Sequence, residues 1–174
     1  LYCAGHLIEA AVAHYTVTGK ETLLNVATKL ADHIDEVFGE TVDGVAGHQE
    51  IELALLRLYR VSGTDRYLDL AEYFIDLRGK NDRLEWEIKH PDEIGGANFD
   101  DWEDVPGEEL RELFLDDGGE YDGRYAQAHA PLQDQKTVEG HSVRAMYFYT
   151  AAAELALETG DHSLVKTLES LWDN

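Results

Sequence analysis

Cysteine, proline and positive charge are all scarce: one Cys, three Pro, and 14 Lys and Arg against 36 Asp and Glu. A lone thiol, Cys3, rules out an intrachain disulfide or a cysteine-only metal site within this chain, and leaves the redox compartment open. The formal charge of -22 repels phosphate backbones and anionic headgroups, which argues against nucleic-acid and membrane-surface partners. The longest apolar runs, such as that around Ala151 to Ala153, fall far short of the ~18 to 20 residues that span a bilayer. There is no long period-2 run of β-branched residues to mark a strand, no Gly-rich phosphate loop and no nucleophile elbow. Against these absences, 44% of the 174 residues are hydrophobic. That supports one core of ordinary domain size and excludes a disordered tail or a minimal disulfide scaffold.

The chain opens inside a patterned run, Leu1-Tyr2-Cys3-Ala4-Gly5-His6. It closes with Leu164, Leu168, Leu171 and Trp172 still at helical spacing, so it is expected to be a segment of a larger protein. Acidic residues interleave with apolar ones throughout, and only six of the basic residues are Lys; interleaving of this kind marks the solvated surface of a folded core. Two sources fit. One is a halophile, where ~1 M salt shrinks the Debye length to ~3 Å and screens self-repulsion; the other is an ordinary acidic soluble protein.

Self-similarity organises the rest into three units. The first runs from Gly5-His6 through Ile8, Ala11 and Tyr15 to Thr18-Gly19, then Leu23, Ala27 and Leu30. The second runs from Gly47-His48 through Ile51, Leu55 and Tyr59 to Ser62-Gly63, then Tyr67, Leu70 and Phe74. The third runs from Gly140-His141 through Ala145, Phe148 and Tyr149 to Thr159-Gly160, then Leu164 and Leu168. Each reads as helix, turn, helix, with Gly ending the first helix in the left-handed conformation and an Asp or Thr after it able to cap the second. The first helix of each pair is the more apolar all round, which predicts an inner and an outer helical layer. An open α-solenoid and a closed α/α toroid both satisfy that pattern. Between the second and third units, about Leu84 to Gly123 reads as a long irregular acidic insertion with one short helix, Glu108 to Leu115. Trp86, Phe99 and Trp102 favour its packing as a lid.

Gly-His recurs at the predicted start of each inner helix. A His in a first helical turn sits near free N–H groups and the positive dipole end, which favours neutral imidazole. Converging on one face, His6, His48 and His141 would suit an uncharged, hydroxyl-rich ligand; the alternative is that each His packs at its own helix start. Glu50 and Glu52 are two apart and point in different directions on a helix, so they cannot serve together as a glycosidic acid/base pair, and Glu52 is expected to pair with Arg57 or face solvent. Gln127 and His129 could join the same mouth or belong to an ordinary loop. Cys3 is expected to be a small buried packing residue rather than a nucleophile based on His6. No metal site is expected from spacing along a helix, since His6 and His14 lie eight apart and no His-Glu-x-x-His occurs.

Three motifs resemble glycoside hydrolase family 127, the β-L-arabinofuranosidase-like proteins: Leu1-Tyr2-Cys3-Ala4-Gly5-His6-Leu7-Ile8-Glu9-Ala10; Gly47-His48-Gln49-Glu50-Ile51-Glu52-Leu53-Ala54; and Gln127-Ala128-His129-Ala130-Pro131 followed by Gly140-His141-Ser142-Val143-Arg144-Ala145-Met146-Tyr147. The resemblance spans nearly the whole chain, the acidic insertion matching least. It implies an all-α fold in which these hairpins form part of an (α/α)6 barrel, with residues 1-174 a partial catalytic domain. It also implies a small carbohydrate substrate, a terminal β-L-arabinofuranoside, bound by His6, His48 and His141. In the family a Glu is the general acid/base of a retaining mechanism, and a Cys held with other Cys and a Glu on zinc is the nucleophile. No motif here matches either, so no catalytic residue is carried over and zinc belongs to the parent protein. The rival reading is an α-helical repeat module that binds a protein partner. Sugar identity, linkage and oligomeric state stay open.

Overall fold

A computed structural model describes residues 1–38, 42–90 and 112–174. Among them the periodic apolar stretches fold into seven α-helices: α1 (Tyr2–Thr18), α2 (Thr22–Val37), α3 (Glu50–Ser62), α4 (Asp65–Leu77), α5 (Arg83–Lys89), α6 (Ser142–Thr159) and α7 (His162–Trp172). The predicted stops hold. Gly19, Gly63 and Gly160 follow α1, α3 and α6 in the left-handed conformation, each donating its N–H back into the last turn. Only Gly adopts that conformation without a Cβ penalty. Asp161 begins α7 as a full cap, its carboxylate accepting from Ser163 N and Leu164 N.

Each hairpin packs on itself, α1 on α2, α3 on α4 and α6 on α7, and α3 also packs against α1 and α6. The result is an inner layer α1–α3–α6, with α2, α4 and α7 outside, as in an arc of an α/α barrel. α3 is the centre of that arc. It buries Glu50, Ile51, Glu52, Leu53, Ala54, Leu55, Leu56 and Leu58, whereas α1 buries only Gly5, Ile8 and Ala11. The inner helices are therefore not equivalent, because α1 and α6 flank the arc and keep Leu7, Val143 and Met146 exposed. Nothing in the apolar pattern of α1 distinguishes a flanking from a central inner helix.

The stretch from Leu84 onward is less irregular than its composition predicts: α5 is helical, and its Leu84 and Ile88 join Val45 and Ala126 in a second, small core. The expected helix 108–115 falls mostly outside the described residues. Its last residue, Leu115, pairs with Tyr121 in an isolated antiparallel bridge. Phe99 and Trp102 lie outside the described residues. Trp86 stacks on His90 and under the Arg83 guanidinium, a contact within α5 and its end.

Candidate functional site

The three Gly-His dipeptides occupy three different backbone settings. His6 is in the second turn of α1, which already starts at Tyr2. His48 precedes α3 by two residues, and His141 is the N-cap of α6. The expectation of three helix-start histidines thus fails at His6, because the turn before Gly5 is helical too, with Gly5 N donating to Leu1 O at 2.9 Å. The glycines also differ in purpose. A Cβ on Gly5 would sit 1.4 Å from Glu50 Oε2 and one on Gly140 2.0 Å from Arg124 O, whereas one on Gly47 would meet nothing within 4 Å.

His6 and His48 are brought together by two tyrosines. The Tyr2 ring lies 4.4 Å from that of His6 and 4.5 Å from that of His48, and Tyr147 stands 6.1 Å and 5.5 Å from the same two rings. His141 joins through Arg144, which donates to Gly47 O beside His48 and lies over the Tyr125 ring, itself 5.3 Å from His141. Burial, followed by the charges of Arg144, His141, Arg78 and His6, pushes the His48 pKa down to about 4, so its imidazole is neutral at physiological pH. His141 Nδ1 accepts from Arg144 N at 3.4 Å, a geometry that leaves Nε2 as its donor. Imidazoles set among aromatic side chains can bind hydroxyl groups and the apolar faces of a sugar ring.

Beneath this cluster two carboxylates of α3 are fully buried. Glu50 packs in the notch above Gly5, with His6 Nδ1 at 3.5 Å. Burial first, then Glu9, raises its pKa to about 8. Glu52 neither faces solvent nor pairs with Arg57: it is buried against Arg78 at 3.2 Å, and Arg57 pairs with Glu9 instead. The helical geometry that separates Glu50 from Glu52 sends Glu52 toward the end of α4. There Arg78 also donates to Ala46 O at 2.7 Å and Ala126 O at 3.2 Å.

Gln127, in the left-handed conformation, accepts from Gln49 Nε2 at 2.6 Å and donates to Glu139 O at 2.9 Å. It therefore fastens the loop rather than standing free in the mouth. His129 is partly buried, its Nδ1 unpartnered and its pKa lowered mainly by burial. Cys3 is exposed on α1, not buried. Tyr2, Tyr147, Arg144 and Arg78 carry much of this arrangement and were not singled out in sequence. Tyr2 stands one helical turn before His6, a signal that only a helix start at Tyr2 makes readable.

All 174 residues match the family model described as "Beta-L-arabinofuranosidase, GH127 catalytic domain". The chain belongs to glycoside hydrolase family 127. A curated relative, the non-reducing end β-L-arabinofuranosidase of Bifidobacterium longum subsp. longum, is 39% identical over 177 residues that cover 100% of this chain and 24% of that protein. Among solved structures, a GH127 β-L-arabinofuranosidase from Geobacillus stearothermophilus matches with a TM-score of 0.80 at 45% identity, over 99% of this chain and 25% of that one. A second GH127 β-arabinofuranosidase matches with a TM-score of 0.72 at 34% identity, over 99% of this chain and 22% of that one. The chain thus spans about a quarter of the length of the relatives it matches. The cysteine-rich zinc set implied for the family does not fit this chain, whose one thiol is exposed on α1. Among the described residues, the donor group compact enough for a cation is His6, Glu9 and Glu50, with ligand atoms within 4.8 Å of one another.

Proposed function

We propose that this chain is the furanose-binding arc of a retaining glycoside hydrolase that acts on terminal β-L-arabinofuranosides. His6, His48 and His141 line the sugar subsite, and the catalytic Glu and the zinc-bound Cys are supplied by parts of the parent protein outside these residues. The observation that carries the reading is the convergence of three histidines from α1, the α3 approach and α6 around Tyr2, Tyr147 and Arg144. His48 matters most, because its enforced neutrality suits the ring to an uncharged hydroxyl. The side chains present bind and orient the sugar. A retaining mechanism also needs two groups a few ångströms apart across the glycosidic bond, and Glu50 and Glu52, both fully buried, do not supply them.

The test uses the full-length protein and an aryl β-L-arabinofuranoside. His48→Ala is expected to lower kcat/KM by about 100-fold, in line with lost hydrogen bonds to a substrate hydroxyl at a polar site. The isolated 174-residue chain is expected to show no turnover. Unchanged kcat/KM in both His6→Ala and His48→Ala would remove the histidines from the subsite, and turnover by the chain alone would place the catalytic groups within it.

A further inference from the structure

Spacing along one helix hides what the packing of two helices creates. His6 and Glu9, an i,i+3 pair on α1, turn toward Glu50 of α3, giving Nδ1 to carboxylate distances of 3.8 Å to Glu9 and 3.5 Å to Glu50. A His and a Glu three apart on one helix, facing a Glu from the next, is the arrangement with which helical bundles hold metal ions. Glu50 is completely buried and neither of its carboxylate oxygens accepts from an N–H donor; its polar partner is the Glu9 carboxyl. Such a group is costly unless something positive reaches it. Arg57 does not supply that charge directly: it is engaged by Glu9 and, at 3.8 Å, by Glu154. The second Glu9 oxygen faces His6 while Arg57 holds the first, which fixes the orientation of the carboxylate. His6 remains 40% exposed, so water can complete the coordination of an ion from that side.

We propose that His6 Nδ1, Glu9 and Glu50 bind a divalent first-row transition-metal ion at the seam of α1 and α3, through one imidazole and two carboxylate donors. It shares His6 with the proposed furanose subsite but does not rest on that reading, since it is read by metal binding and not by turnover. An ion on Nδ1 leaves His6 Nε2 protonated and fixes that ring as a donor.

Mn2+ is the probe, because oxygen-rich sites accept it and cysteine sites do not favour it. The full-length protein, stripped by chelator, is titrated with MnCl2 while the EPR signal of free Mn2+ is followed, and the bound ion is examined for nitrogen modulation from imidazole. Saturable binding with nitrogen modulation is expected. His6→Gln should abolish the modulation, and Glu50→Gln should weaken binding by more than the roughly 10- to 100-fold that losing an outer partner costs. Glu9→Gln, at a partly exposed position where misfolding is less of a concern, should weaken it in the same way, with helicity checked by circular dichroism. No saturable binding at millimolar Mn2+, no nitrogen modulation in the wild type, or wild-type affinity in both carboxylate variants would overturn the site and leave a proton as the occupant beside Glu50.

Discussion

At the residue scale the three glycines before the histidines make the sharpest contrast. Gly5→Ala drives a methyl group into the Glu50 carboxylate. Because Glu50 is fully buried, it has no free direction in which to swing, and a loss of about 1 to 3 kcal/mol is expected from urea unfolding. Gly47→Ala meets open space and should stay within about 0.5 kcal/mol of wild type. Equal effects of the two substitutions would mean that Glu50 does not sit against α1. His48 provides the pH test. Its folded pKa, about 4, lies below the usual 6.5, so the unfolded chain binds the extra proton. The stability that comes from keeping His48 neutral is present above about pH 6.5 and is lost as the pH falls toward 4. The difference in urea midpoint between wild type and His48→Gln should shrink over that interval. Arg144, Arg78, His6 and His141 act on His48 in the same direction, so a difference that is flat with pH would show that the ring is solvated.

At the element scale, helix ends carry the argument. α7 is short, and its start depends on Asp161, which accepts from two backbone N–H groups. Asp161→Ala should cost about 1 kcal/mol, measured by thermal or denaturant unfolding. The corresponding cap of α6 is the His141 ring, and its single contact is long at 3.4 Å. A long contact suits a residue that keeps a ring edge for another partner. α5 shows how tertiary context decides an ambiguous segment. Seven residues are too few to hold a helix alone, yet Leu84 and Ile88 find Val45 and Ala126 to pack against.

At the scale of the whole molecule, Arg78 joins what the hairpins leave separate. From the end of α4 it reaches the loop before α3 through Ala46 O, the 3-10 turn of residues 124–126 through Ala126 O, and α3 itself through Glu52. Both Arg78 and Glu52 are fully buried. Arg78→Met strands a carboxylate and is expected to cost about 3 to 5 kcal/mol, whereas Arg78→Met combined with Glu52→Gln should recover part of that loss. A double variant no better than the single would assign the cost to the two carbonyls instead. The net charge of -22 acts over the same scale. Self-repulsion of that size predicts a thermal midpoint for the 174-residue chain that rises with KCl into the molar range, and a salt-independent midpoint would argue against a halophilic origin.

Local chemistry determined the hairpins. Apolar spacing placed each helix, and Gly19, Gly63 and Gly160 ended three of them because the left-handed conformation is a property of one residue and its neighbours. The motifs around His6, His48 and His141 were equally plain in sequence, and they carried the family. What no local pattern could decide was how helices meet. Glu52 looked set to pair with Arg57 or face solvent until α4 brought Arg78 to it, and Cys3 looked buried until α1 proved to be a flanking helix. The notch that seats Glu50 exists only because Gly5 of α1 lies against it. Periodicity records which face of a helix is apolar, but a buried charge is decided by which charge arrives from another element, and that depends on the packing of the whole arc.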